Sequence, residues 1–339
     1  MSELGAVVLT QSSDSNTARA ATTTPALRGP KDMVWVPGAT FRMGDERFYP
    51  EERPVHHVTV DGFWIDEHPV TVAEFRRFVK RTGYVTLAER APEASEYPEA
   101  DPALLVPGSL VFAKTAGRVD LRDVTNWWRW TPGAFWRRPE GPDSDVGGRE
   151  RHPVVHVAYE DAAAYARWAQ KVLPTEAEWE LAARGGLDGA AFTWGESMTP
   201  RNRMMANFWQ GEFPWQNLRL DGFERTSPVG RFPANGYGLF DMAGNVWEWT
   251  EDYFTGGHAS SSRSACCAPH NPRRTDAHQS LVSGEPGGQI PRRTIKGGSH
   301  LCAPNYCLRF RPAARQGEAI DTSTGHIGFR CAIRGHPRD

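Results

Sequence analysis

Only five cysteines occur in 339 residues, at Cys266, Cys267, Cys302, Cys307 and Cys331. So small and odd a number in a long chain argues against a disulfide framework and leaves most of the thiols reduced. No run of about 18 or more apolar residues is present, which excludes a spanning helix. An excess of one charge sign is lacking too. The 39 Lys and Arg stand against 41 Asp and Glu, a formal net charge of -2, so neither nucleic acid nor an anionic membrane is an expected partner. The N-terminal stretch MSELGAVVLTQSS has an acidic residue where an export signal needs positive charge, and the apolar run over 4–9 is short. The expectation is a cytoplasmic protein with a disordered tail over 1–30 and one folded domain over 31–339.

Loop formers and tryptophan are abundant. The 33 glycines and 26 prolines exceed the roughly 12% of average usage, while 13 tryptophans supply large flat side chains to close a core with few long elements. MVWVPGATFRMG and VHHVTVDGFWI alternate as strands do. Thr71 and Glu74 form a capping box that opens a helix, closed by Gly83. From 84 to 151 no periodicity persists, only turn residues and the cluster Trp127, Trp128, Trp130 and Trp136, which reads as a long aromatic loop region. HPVVHV reads as a short strand leading into two helices, the first started by Glu160 or Asp161, the second capped by Thr175 with Glu178 and stopped by Gly185. A polar insertion follows over 256–289. With no tandem repeat, the fold class is α+β, a single loop-rich domain with short sheets.

Cys302 and Cys307 flank Ala-Pro-Asn-Tyr, whose Pro-Asn turn signal bends the chain and brings two thiols together. Zinc is disfavoured because no second cysteine or histidine pair stands at a matching spacing. A disulfide, two ordinary buried thiols, and a dithiolate site for a soft ion such as Cu(I) all remain open on spacing alone.

The wider pattern is more specific. VPGATFRMG, HPVTVAEFRRFV, HPVVHV, LPTEAEWELAARGG, NGYGLFDMAGNVWEWT, KGGSHLC and GFRC follow the order found in the formylglycine-generating enzymes, the sulfatase-modifying factors, and the chain resembles that family over about 32–333. The resemblance implies the formylglycine-generating enzyme fold, related to C-type-lectin-like folds. It also implies an oxidase that converts the cysteine of a Cys-x-Pro-x-Arg motif in unfolded sulfatases to formylglycine, using O2 and an external thiol reductant. Cys302 and Cys307 would bind Cu(I), with Ser299, Tyr306 and Trp247 beside the metal's oxygen side. Two structural Ca²⁺ sites are implied as well, one from Asn207, Phe208, Asp221 and Phe223, the other from Asp241, Gly244, Val246 and Glu248. Hard oxygen ligands mixed with carbonyls are what Ca²⁺ requires.

Departures from the family pattern carry information. Ala166, Ala183 and Pro312 stand where many secreted relatives have disulfide cysteines, leaving Cys331 without a partner. Two rival readings are weaker. The related iron-dependent sulfoxide synthases use a helical His-x3-His-x-Glu pattern; here His152 and His156 have the first spacing, but Ala158 replaces the carboxylate. A non-catalytic lectin-like module would explain the tryptophans and the calcium ligands, but gives no reason for Cys302 and Cys307.

Overall fold

The computed structural model describes residues 29–335 apart from 96, 99, 259–267, 285 and 286. Cys266, Cys267 and nearly all of the expected tail lie outside the described residues. Strands β1 (Met33–Val36) and β2 (Ala39–Met43) are followed by β3 (His56–Val60) and β4 (Phe63–Asp66). β2 and β3 pair antiparallel, and buried Phe41, Met43, Val58 and Val60 alternate along them, as a ribbon with one face on the core requires. Helix α1 (Val72–Thr82) opens at the expected capping box: Glu74 N–H donates to Thr71 Oγ1 at 3.3 Å, and Thr71 N–H donates to Glu74 Oε2 at 2.8 Å. Gly83 closes it at φ 70°, a left-handed cap that glycine enters without penalty.

The 84–151 region is more ordered than its sequence suggests. Strands β5 (Gly108–Phe112) and β6 (Trp128–Pro132) form an antiparallel ribbon within it. No residue of β6 is fully buried, so the alternation that marks a strand never develops there. The strand expected over 152–157 shrinks to one bridge, Pro153 with Thr71, plus a hydrogen bond from Val154 N–H to Val70 O. His156, at φ 58°, turns the chain out of the extended run.

Helix α2 (Tyr159–Trp168) has Asp161 at its third position, accepting the Ala158 N–H at 2.8 Å, so the acid acts from inside the first turn. Helix α3 (Glu176–Arg184) has the expected Thr175/Glu178 box and Gly185 cap, yet all nine of its residues are buried. Its charged residues are therefore paired: Glu180 with Lys296 at 3.0 Å and Arg184 at 2.7 Å, Glu176 with Arg315 at 2.6 Å. Strands β7 (Trp247–Tyr253), β8 (Arg292–Lys296), β9 (Arg315–Ala319) and β10 (Ile327–Gly328) make a four-stranded sheet in the order β10-β7-β8-β9. Strand β11 (Ala332–Arg334) returns to β4, completing β1-β4-β11 and tying the two ends of the domain together. No helix among the described residues is long and apolar enough to cross a membrane. The largest core cluster packs α1, α2 and β7 around Phe75, Tyr165, Trp249 and Phe329, and it includes Cys302, Cys307 and Trp247.

Candidate active site and the acidic loops

β8 delivers the chain to Gly297 and Gly298, at φ 91° and 67°. A Cβ on Gly298 would stand 2.8 Å from Phe310 N and 2.9 Å from the Arg309 carbonyl, so only glycine lets the outgoing segment cross the incoming one this closely. That crossing sets the turn between them. Cys302 N–H donates to Ser299 O at 3.0 Å, Ser299 N–H points at Cys302 Sγ at 3.4 Å, and Ser299 Oγ accepts the Leu301 N–H at 3.2 Å. Cys307 N–H donates to Ala303 O at 2.7 Å, and Trp209 N–H to Cys302 O at 2.9 Å. The result is two buried, unbridged sulfurs 3.0 Å apart.

Burial drives the Cys302 thiol well above its ordinary range. Cys307 is held below it, first by the hydrogen bond from Cys302, then by the positive charge of Arg309. One thiol thus stays protonated while its neighbour carries thiolate character. Tyr306 stacks on Phe213 (4.7 Å between ring centroids) and meets Trp127 edge-on (5.4 Å). Its hydroxyl is pushed up to about 12, first by burial and then by the two thiols. Ser299 and Tyr306 therefore belong to the cysteine turn, and Trp247 lies in the same core cluster as both thiols.

Among the described residues no group of three or more His, Cys, Asp and Glu side chains could hold a metal. The donor set at the turn is two sulfurs alone, which fits a soft, low-coordinate ion and not Zn²⁺.

The acidic loops are also assembled. Asp221 accepts N–H groups from Phe223 (2.9 Å) and Phe208 (3.2 Å), so Phe208, Asp221 and Phe223 form one knot, while the Asn207 side chain, next in the chain, donates to Arg225 O at 2.9 Å. Asn207 also bridges to Gly244, and Asn245 Nδ2 reaches Asp241 Oδ1 at 3.4 Å, setting the second loop beside the first. Burial raises the pKa of both Asp221 and Asp241. No ion pair joins either to another described residue, and a bound cation would relieve that cost. Glu248 differs: Trp179 Nε1 (2.8 Å) and Arg330 Nε (2.7 Å) and Nη2 (2.8 Å) occupy its carboxylate.

Neither histidine of the iron-type pattern is arranged for a metal. His156 Nδ1 meets Ser109 Oγ at 2.7 Å and Nε2 meets Pro139 O at 2.8 Å, while His152 bonds Thr226. Sequence reasoning missed Arg309, Glu51 and Tyr49. Arg309 stands two residues beyond Cys307, which was a usable signal; Glu51 and Tyr49 approach from more than 250 residues away in the chain, and nothing local marks them.

The fold and site define a single mixed α/β domain of short sheets and long loops that carries a buried, unbridged cysteine pair on a glycine-crossed turn. Residues 18–335 match the family model described as the sulfatase-modifying factor enzyme 1-like domain, and the chain belongs to that family. It is 55% identical over 301 residues to the formylglycine-generating enzyme of Mycobacterium tuberculosis, covering 88% of this chain and 97% of that protein. It is 45% identical to the formylglycine-generating enzyme of Thermomonospora curvata, with 89% and 93% covered. The solved structure of PvdO from Pseudomonas aeruginosa superposes with a TM-score of 0.58 at 25% identity, over 90% of this chain and 96% of that one.

Proposed function

We propose that this chain oxidises the cysteine of an extended Cys-x-Pro-x-Arg peptide in a sulfatase to formylglycine, with O2 as oxidant, Cu(I) held by Cys302 and Cys307, and an external thiol as co-reductant. The observation that carries it is the pair of buried sulfurs 3.0 Å apart with no disulfide between them. Family membership makes the conversion of a sulfatase cysteine the natural reading of that pair.

Bound copper would supply a soft centre able to gather the substrate thiolate and to activate O2. The remaining roles belong to protein groups. Cys302, kept protonated by burial, gives up its proton when the ion is taken, as does what proton Cys307 still carries. Tyr306, kept protonated by burial and held between Trp127 and Phe213, supplies an O–H donor within the cysteine turn. The surrounding apolar cluster excludes water, which strengthens each of these contacts.

Electron counting fixes the co-reactant. Reducing O2 to two waters takes four electrons, and converting the thiol carbon to a thioaldehyde releases two. Two molecules of an external thiol provide the other two and leave as a disulfide. Water then hydrolyses the thioaldehyde, releasing H2S and leaving the aldehyde. An extended peptide would lie in a surface groove beside the turn. Asn207, Phe208, Asp221 and Phe223, with Asp241, Gly244 and Val246, would hold Ca²⁺ for stability and not for turnover, with Glu248 joining the second set only by sharing its carboxylate with Arg330. A reducing compartment suits the unpaired, buried Cys331.

The test is anaerobic Cu(I) titration followed by turnover of a Cys-x-Pro-x-Arg peptide in air. One copper per chain is expected, lost in both Cys302→Ala and Cys307→Ala. Full turnover by metal-free protein in the presence of a Cu(I) chelator would defeat the copper reading and leave a thiol-only oxidation.

A further inference from the structure

A short helical turn over Pro50–Glu52 packs against the segment that leaves Cys307 and sets two Glu–Arg pairs side by side. The inner pair, Glu52 with Arg311, has both side chains fully buried, with Arg311 lying 3.7 Å over the Phe48 ring. The outer pair, Glu51 with Arg309, is partly open: Glu51 Oε1 accepts from Arg309 Nη2 at 2.6 Å and Nε at 3.2 Å. Arg309 lies 3.9 Å over the Tyr49 ring, and Tyr49 Oη accepts the Leu308 N–H at 2.9 Å. The remaining arm of the guanidinium, Nη1, reaches Cys307 Sγ at 4.0 Å.

The inner pair already anchors the segment. The outer pair therefore has a different consequence: it fixes one positive charge against the sulfur. We infer that Arg309, aimed by Glu51 and Tyr49, is a positioning residue that provides the counter-charge for the cysteine pair when it takes a monovalent soft cation. This rests on the copper reading above. The charge balance is explicit: counted from the fully protonated pair, two S–H bonds lose their protons to solvent and two sulfur–metal bonds to a 1+ ion form, so the site goes from neutral to 1−, and thiolate already present at Cys307 lowers the number of protons released and not the final charge. No electron is transferred. A guanidinium beside it stabilises the product more than the starting state. Glu51 opposes this by its own charge, so its role is aim and not attraction.

The opposite signs give the test. Purified full-length chain is titrated with Cu(I) against a chromophoric Cu(I) chelator without oxygen, for wild type, Arg309→Met, Arg309→Lys and Glu51→Gln, with thermal unfolding measured for each. Arg309→Met is expected to weaken Cu(I) binding by about tenfold or more, the size of one lost charge-assisted hydrogen bond. Arg309→Lys keeps the charge but not the fork and falls between. Glu51→Gln keeps an acceptor for Arg309 while removing the opposing charge, so its affinity stays at or above that of wild type. Arg309→Met binding like wild type, or Glu51→Gln weakening as much as Arg309→Met, would overturn the inference. Failure of wild type itself to hold Cu(I) would instead sink the copper reading. In that event alkylation of Cys307 in metal-free Cys302→Ser protein decides the role of Arg309: Arg309→Met slows it if the charge acts on this sulfur and leaves it unchanged if not.

Discussion

Gly298→Ala has a matched control within the same molecule. Gly298 and Gly83 have nearly the same backbone, φ 67° and 70°, but a Cβ on Gly83 meets nothing within 4 Å, whereas one on Gly298 falls 2.8 Å from Phe310 N and 2.9 Å from the Arg309 carbonyl. Gly83→Ala thus isolates the left-handed backbone penalty, about 1 kcal/mol. Gly298→Ala carries that penalty plus a backbone shift of about 0.6 Å to reach ordinary contact, for which overpacking costs of about 1–3 kcal/mol apply. At roughly 2 °C per kcal/mol in a domain of this size, melting should fall by about 2 °C for Gly83→Ala and about 4–8 °C for Gly298→Ala. Because the displaced atoms belong to the backbone of Arg309 and Phe310, two and three residues beyond Cys307, peptide turnover should fall about 10- to 100-fold in Gly298→Ala, at a temperature where it is fully folded. Gly83→Ala should stay within about twofold of wild type. Differential scanning fluorimetry and a peptide-oxidation assay read both quantities. Equal melting temperatures with equal turnover would refute the claim that the glycine crossing sets the cysteine geometry.

Chelation of Ca²⁺ should lower the melting temperature of wild type and have a much smaller effect on Asp241→Asn or Asp221→Asn; wild-type melting indifferent to chelator and to re-added Ca²⁺ would remove the calcium assignment. Cys331→Ser should keep the peptide rate within a few-fold of wild type while losing about 1–2 kcal/mol of stability, since a buried hydroxyl replaces a buried thiol; a severe rate loss in folded protein would mean a third thiol takes part. His258 is buried and its pKa is pressed down to about 3, by burial first and then by the charge of Arg315. Its folded pKa lies below the unfolded value, so the unfolded chain binds the extra proton and stability is lost as pH falls below about 6.5. The stability of wild type relative to His258→Phe should therefore drop by about 2 kcal/mol between pH 7 and pH 5 in urea unfolding; a constant difference would contradict a neutral buried imidazole.

Local rules were enough for α1 and α3, because a capping box and a C-terminal glycine lie within one short stretch of chain and fix both ends without reference to the rest. They were enough for the cysteine turn as well, since four residues separate the two thiols and a Pro-Asn signal bends the chain between them. Pattern failed where burial does not follow period. β6 never buries a residue fully, and α3 buries its charges by borrowing Lys296, Arg315 and Arg334 from β8, β9 and β11, so neither element displays its surroundings in its own sequence. The 152–157 segment reads as a strand through Val154, Val155 and Val157, yet a left-handed His156 ends the run. The sequence by itself determined the two thiols, their spacing and the glycines before them. Only the tertiary structure decided how the charge beside those thiols is aimed: Tyr49 and Glu51 come from more than 250 residues away to hold Leu308 and Arg309, and Arg309 in turn reaches Cys307, because charge acts through space, where separation along the chain leaves no mark.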